Sequence, residues 1–332
     1  MNRFMTYRRS TVVILMLLFF VSGNRVKGQP GHDLSGRVNE NFRYLAHFIN
    51  DNDAFKFQNG TDKYYSYGLF FKFQIEQLQQ TKLSRYLPID HNSETKYFIA
   101  SELYLKGFTP EHNLDSLVPG SRPFAGILAL RGQMHAVNSA RYVRIAVELG
   151  VRGPASGAEF IQNEWHRIAD KPLFPGWKHQ LPNQILANVY GTIAFPFRLT
   201  RHMELLSESE LALGNHNAYF QQGLIMRIGF FHNIASSSYY KAHGSASGKK
   251  EIYATTRVFF RGVIGDATLS ESDSRNIGLI QFDRDDHISG FEVKLHLQSV
   301  RYGLQLGYAK RSSDSNFTVR HSYGTIGFSV LL

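Results

Sequence analysis

The stretch Phe291–Gln298, "FEVKLHLQ", sets Phe291, Val293, Leu295 and Leu297 at every second position, with Glu292, Lys294, His296 and Gln298 between them. A period of two belongs to an extended strand whose side chains point alternately to its two faces. The pattern returns in Tyr142–Val151, "YVRIAVELGV", where Val143, Ile145, Val147, Leu149 and Val151 alternate with Tyr142, Arg144, Ala146, Glu148 and Gly150. It recurs at Phe220–Ile228, Tyr302–Tyr308 and Ile326–Leu332. Reading such runs along the chain predicts strands at 42–50, 65–76, 96–106, 125–137, 141–151, 185–198, 203–214, 219–229, 251–264, 289–299, 301–311 and 320–332. An even number of strands of about ten residues matches tilted segments that cross a bilayer in a β-barrel.

Alternation alone does not say which face points outward. A soluble barrel turns its apolar face inward, and an outer-membrane barrel turns it to lipid. Twelve strands enclose a lumen too wide for apolar side chains to fill. The opposite face offers Arg144, Glu148, Glu204, Glu208, Arg257, Glu292 and Lys294, a lining suited to a polar interior. The expected fold is therefore all-β, a twelve-stranded antiparallel transmembrane barrel of outer-membrane type, with a short helix in one extracellular loop.

The first 28 residues read as a secretory signal peptide. Arg3, Arg8 and Arg9 precede the apolar run "TVVILMLLFFV", and a small-residue exit follows at "VKG". Residues 29–332 then form a single barrel domain. Removing the signal takes away five Lys/Arg and no Asp/Glu, so the formal charge falls from +10 to +5. Much of the basic character belongs to the signal, which removes the case for nucleic acid as a partner. The chain has no cysteine, so neither disulfides nor a lipid anchor on cysteine holds it in place.

With an even strand count both ends of the barrel domain lie on the periplasmic side, and odd-numbered connections face outward. These connections, 51–64, 107–124 and 152–184, hold nearly all the chemically unusual residues. The first lies within "NDNDAFKFQNGTDKYYSYG", Asn50–Gly68, and supplies Asp51, Asn52, Asp53 and Asp62, with Ser66 at the next strand. Carboxylates, amide carbonyls and hydroxyls are hard oxygen ligands of the kind Ca²⁺ takes, although the spacing is not that of an EF-hand and an acidic surface loop has the same composition. The third connection holds Arg122 before Pro123, a cation on a stiffened backbone. In the fifth, "AEFIQNEWHRI" reads as one short helix with Gln162 and His166 one turn apart on a shared face. A neutral imidazole there is a candidate general base near pH 7. No Gly-x-Ser-x-Gly elbow, His-Glu-x-x-His pair or phosphate-binding glycine loop is present.

"DNDAF" with "TDKYYSYG", "FTP" with "SRPFAG", and "GVRGPASGAEFIQNEWH" with "PGWKHQL" together resemble the lipid A 3′-O-deacylase family of outer-membrane barrels. The matches run in order from about Asp51 to Asn188, and several short motifs in register are more specific than any one of them. The resemblance implies hydrolysis of the ester that links the 3′ acyloxyacyl chain to lipid A, with Ca²⁺ as cofactor and lipopolysaccharide as substrate. It implies a monomer in a Gram-negative outer membrane with its site on the extracellular side. It places the family's Asn-Asp pair on Asn52–Asp53, or on Asn50–Asp51 two residues earlier, and its catalytic His on His166 with Gln162 beside it. Asn52, Asp53 and Ser66 become the expected metal ligands and part of the catalytic set. Lys63, Lys106, Arg122, Arg152 and Lys178 are candidates for the phosphates and sugars of the substrate. Two departures stand out: Ser66 replaces the family's Thr, and the family's glutamate shortly after the His has no counterpart here. Pro172 stands near its place, and Asp170 is the nearest carboxylate. An outer-membrane phospholipase-like esterase and a non-enzymatic pore or scaffold remain as rival readings.

Overall fold

Each alternating run becomes a strand, and each strand pairs with its neighbours in sequence. The computed structural model describes residues 44–55, 64–77, 81–110, 122–240, 250–270, 273, 284–315 and 318–332. The expected signal segment, Asp62 and Lys63 lie outside the described residues. The strands are β1 (Tyr44–Asn52), β2 (Tyr64–Gln77), β3 (Lys96–Thr109), β4 (Ala125–Val137), β5 (Tyr142–Arg152) and β6 (Gln184–Thr200). They continue as β7 (Met203–Gly214), β8 (Asn217–Phe230), β9 (Glu251–Asp266), β10 (His287–Gln298), β11 (Tyr302–Arg311) and β12 (His321–Leu331). All pairings are antiparallel, and the sheet closes where β1 meets β12, with Leu45 opposite Leu331 and Asn52 opposite Gly324. Helix α1 (Ala158–Ile168) lies between β5 and β6. No helix among the described residues is long and apolar enough to cross a membrane.

The apolar face points outward. Ile99, Leu103, Leu130, Leu149, Ile185, Ile326 and Phe328 are exposed on the outer wall. The inward face carries the charges, and they pair across strands or, for Lys294 with Glu292, along one strand. Arg131 binds Glu148 at 2.6 Å, Arg144 binds Glu210 at 2.5 Å, Arg257 binds Glu208 at 2.8 Å and Lys294 binds Glu292 at 2.7 Å. Glu148 also accepts from Tyr190 at 3.1 Å and lies 2.6 Å from His216 Nδ1. Lipid offers no hydrogen bonds, so this arrangement puts every strand's polar side where partners exist.

Folded segments close the lumen at both ends. At the end bearing the chain termini, Ile234 and Ala235 are buried, and Tyr240 stacks on Tyr142 at 3.8 Å while its hydroxyl donates to Glu208 at 2.9 Å. The same segment is tied down by Arg227, which donates to Ser237 at 2.8 Å and to Glu204 at 2.6 Å. Residues 81–95, the other long connection at this end, fold instead against the outer face, where Leu87 and Ile89 are buried with Tyr97, Ala136 and Val143. At the opposite end, Leu181 and Ala267 pack with Tyr65, Tyr104, Phe108, Ile127 and Leu186. Arg122 forms a buried ion pair with Asp314 there and donates to Thr268 at 2.7 Å. Arg152 pairs with Asp273 at 2.6 Å and donates to the Ala267 carbonyl at 2.7 Å.

Candidate active site on the outer wall

Helix α1 lies against the outside of the barrel at the end opposite the termini. Two glycines make room for it. A side chain at Gly126 of β4 would collide with Ser156 Oγ and Ala158 Cβ, and one at Gly107 of β3 would collide with the ring of Tyr67. Tyr67 crosses this gap and donates its hydroxyl to the Ala158 carbonyl at 2.6 Å. Beneath the helix, Tyr67, Phe124, Ala158, Phe174 and the fully buried Trp177 form one cluster, with Leu69, Leu105 and Ile161 packed at its edge.

The buried face of α1 presents Ala158, Gln162 and His166. The helix ends at Ala169, and Asp170 then adopts a left-handed conformation with φ 56°. This turn brings Lys171 N to the His166 carbonyl at 2.8 Å and Pro172 back over the imidazole. His166 Nδ1 lies 2.6 Å from the Pro172 carbonyl oxygen. A carbonyl can only accept, so Nδ1 carries a proton, and in the neutral imidazole Nε2 carries the lone pair. Phe174 meets the same ring edge-on at 5.0 Å. One turn earlier, Gln162 Oε1 accepts from Trp177 Nε1 at 3.0 Å.

Asn52, Ser66 and Thr109 share this outer wall. Asn52 ends β1 directly opposite Tyr67 on β2. A bulge between Tyr65 and Tyr67 sets Ser66 apart from the regular ladder, and its hydroxyl lies 2.6 Å from Thr109 Oγ1. Asp53 is fully buried in the short 3₁₀ turn Asp53–Phe55 that follows β1. Asp51 serves elsewhere: Thr325 donates to its Oδ1 at 2.7 Å and Tyr65 to its Oδ2 at 3.0 Å. The Asn50 amide oxygen is buried without a hydrogen-bond donor among the described residues. The available donors are all oxygens, and Asp53 adds a buried carboxylate to the Asn52 amide and the Ser66 hydroxyl. That chemistry fits Ca²⁺, which fills its shell largely with amide, backbone and water oxygens. No group of three or more His, Cys, Asp or Glu that could hold a metal ion occurs among the described residues, so oxygens of other kinds would have to complete a calcium shell.

Of the candidate substrate cations, Lys106, Arg122 and Arg152 lie apart from α1. Lys106 shares the inward parity of Tyr104, and its ammonium sits 4.6 Å from that ring and 5.4 Å from the ring of Phe70. Arg122 and Arg152 are almost wholly buried in the ion pairs that close the lumen. Lys178 is exposed on the turn Pro175–His179 beside α1. Burial works against the charge of Asp314, but Arg122 first, then Arg311 and His321, outweigh it and hold the carboxyl well below the usual range. The sequence assigned no role to Thr109, to the Pro172 carbonyl as an acceptor or to the Trp177 indole as a donor. Thr109 ends a strand three residues beyond the last clear alternation, and the other two act through a carbonyl and a long loop return, neither of which leaves a local pattern.

A closed barrel with an apolar outer wall, a charged interior and a histidine-bearing helix against that wall defines an outer-membrane protein whose polar site borders lipid. The family model for the outer membrane protein LpxR matches residues 13–332, and the chain belongs to that family, the lipid A 3′-O-deacylase family that its motifs resemble. Among solved structures, LpxR from Salmonella typhimurium superposes with a TM-score of 0.70 at 18% identity, covering 87% of this chain and 100% of that one. The β domain of the Bordetella autotransporter BrkA gives a TM-score of 0.44 at 10% identity, over 88% of this chain and 99% of that one. The translocator domain of NalP from Neisseria meningitidis gives 0.40 at 8% identity, over 98% of each chain. No curated protein matches the sequence.

Proposed function

We propose that this chain is a Ca²⁺-dependent lipid A 3′-O-deacylase that acts as a monomer on the extracellular side of the outer membrane. The observation that carries this reading is His166, buried on the wall-facing side of α1 with Nδ1 engaged by Pro172 and Nε2 holding the lone pair. Membership of the LpxR family supplies the substrate class.

In this reading His166 Nε2 takes a proton from water as the water oxygen attacks the acyl carbonyl carbon. The Pro172 carbonyl holds the imidazole in the required tautomer throughout. The tetrahedral intermediate puts negative charge on the former carbonyl oxygen, and the Gln162 NH₂ group is the donor offered to it. Collapse breaks the bond to the sugar oxygen, which leaves with the proton held on His166, and the acyl chain departs as a fatty acid. Asn52, Asp53 and Ser66 would hold calcium, which when bound supplies positive charge beside the same oxygen. Asp51 turns to Tyr65 and Thr325 inside the barrel while Asn52 lies opposite Tyr67 on the outer wall, which supports the Asn52–Asp53 register over Asn50–Asp51. An outer-wall site suits the substrate, because lipid A holds its acyl chains against the barrel wall and its ester bonds near the level of α1.

Mass spectrometry of lipid A from cells expressing the chain tests the reading. Loss of the 3′ acyloxyacyl group with wild type, but not with His166→Ala, is the expected result. Unchanged lipid A with inserted wild-type protein overturns it, and release of fatty acid from glycerophospholipid in its place selects the phospholipase-like rival.

A further inference from the structure

The amide of Gln162 has two ends, and only one is accounted for by the fold. Its Oε1 accepts from Trp177 Nε1 at 3.0 Å. Its Nε2 is buried and meets no acceptor among the described residues. An indole N–H is a donor and never an acceptor, so the side of the amide facing Trp177 must be the oxygen. The NH₂ group is thereby fixed on the far side. Trp177 itself has no freedom to follow a flipped amide. It is fully buried, it packs at 5.2 Å on the ring of Phe124, and its carbonyl accepts from Gln180 N at 3.0 Å within the turn Pro175–His179.

A buried donor without an acceptor costs free energy in the resting protein and is retained where a ligand supplies the acceptor. An ester carbonyl oxygen that gains negative charge during hydrolysis is such an acceptor. We propose that Trp177 is a positioning residue whose indole N–H locks the Gln162 amide so that its NH₂ group, not its oxygen, faces the reacting ester. The proposal rests on the deacylase reading. Without the lock the amide can turn over, present its oxygen to the developing oxyanion and repel it.

The test is a double-mutant cycle on purified, refolded barrel, with insertion checked by heat-modifiable gel mobility. Trp177→Phe keeps most of the ring volume and removes the donor. It is expected to lower kcat for lipid A about 10²-fold, the scale of one lost oxyanion donor, with KM changed less than about threefold. In a Gln162→Leu background, Trp177→Phe is expected to cause no further loss. Equal losses in both backgrounds, or wild-type kcat in Trp177→Phe alone, overturn the proposal.

A second readout does not depend on turnover. The chain has two tryptophans, and Trp165 is half exposed, so ¹⁵N-indole spectra of the barrel in micelles contain one exchanging and one protected resonance. The protected signal is expected to shift on Gln162→Leu, and an unmoved signal overturns the lock. A folded wild-type chain inactive on lipid A overturns the deacylase reading, and with it the role of the lock, even where the indole signal shows the bond.

Discussion

His166 Nδ1 donates to the Pro172 carbonyl at 2.6 Å, six residues along the chain, and so the imidazole is oriented by backbone near the place where the family's glutamate has no counterpart. A carbonyl fixes the tautomer as firmly as a carboxylate does but adds no formal charge. The arrangement depends on α1 stopping at Ala169 and on Asp170 turning the chain in a left-handed conformation.

This assigns different consequences to two neighbouring substitutions. His166→Ala removes the group that carries the proton and is expected to lower lipid A deacylation by about 10²- to 10⁴-fold. Asp170→Asn keeps a residue type tolerant of positive φ and is expected to leave the rate within about twofold. Deacylation assays on membranes containing each variant check both. A loss on Asp170→Asn comparable to that of His166→Ala would show that the exposed carboxylate acts on the imidazole after all.

Calcium dependence is expected to follow Asp53 and not Asp51. A chelator should abolish deacylation, and added Ca²⁺ should restore it, while Mg²⁺, which demands a tighter octahedral shell, should not. Asp53→Asn should raise the Ca²⁺ concentration needed for half-maximal rate at least about tenfold, since a carboxylate is lost from a site with few of them. Asp51→Asn should leave that concentration unchanged and act on barrel stability instead, through Tyr65 and Thr325. A calcium titration of the two variants decides between the registers, and the reverse assignment would follow from the opposite pattern.

The ion pair of Arg122 with Asp314 joins residues 192 positions apart and pins the loop after β11 to the connection before β4. Asp314→Ala leaves a buried guanidinium without its carboxylate and is expected to cost about 3–5 kcal/mol in barrel unfolding. The carboxyl is depressed in the fold, so its contribution is complete above the ordinary carboxylate pKa and fades only as pH falls through the lower folded value. Unfolding midpoints measured from pH 7 down to pH 4 should therefore show the same penalty for Asp314→Ala across that range. A penalty that vanishes by pH 4 contradicts the depressed carboxyl.

The segments that close both ends of the lumen bear on the pore reading. With Tyr240 stacked on Tyr142 at one end and Arg122 and Arg152 paired across the other, the chain is expected to give no steady conductance in planar bilayers. Sustained, chelator-insensitive channels would restore a pore.

The barrel was legible because lipid outside and charge inside impose strict alternation, and every expected strand is present. Strand ends were less so. β1 runs to Asn52 where 50 was expected, and β3 runs to Thr109 where 106 was expected. Near the headgroup level both faces turn polar and the period loses its contrast, so Asn52 and Thr109 read as loop. The inward direction of Lys106 was in fact available, since Leu103 and Leu105 fix its parity, but its charge drew attention to phosphate instead. Arg122 and Arg152 read as substrate-binding cations for the same reason. Their partners, Asp314 and Asp273, are brought close only by loops folding over the lumen, and no local pattern announces that. The helix over 158–168 was readable from its period, whereas the return of Pro172 and Trp177 beneath it depends on tertiary packing.

The exposed flank of α1 should govern action at a membrane surface. Ile161, Trp165 and Ile168 are spaced four and three apart and share one side of the helix. Ile161 packs beside Leu69 and Leu105 on the outer wall, while Trp165 and Ile168 are 51% and 53% exposed. The flank thus continues the apolar wall toward the helix that holds His166, at the level where lipid chains meet headgroups. If each half-exposed side chain gains about 1 kcal/mol on entering that boundary, replacing both with serine weakens interfacial binding roughly 10- to 30-fold. Trp165→Ser with Ile168→Ser is therefore expected to raise the apparent KM for lipid A in vesicles by that factor. The rate on a short-chain ester dissolved in detergent should stay near wild type, because Gln162 and His166 lie on the buried face of the helix and Trp165 and Ile168 on its exposed flank. Equal losses on both substrates would mean that the flank supports the fold of α1 and not its contact with lipid.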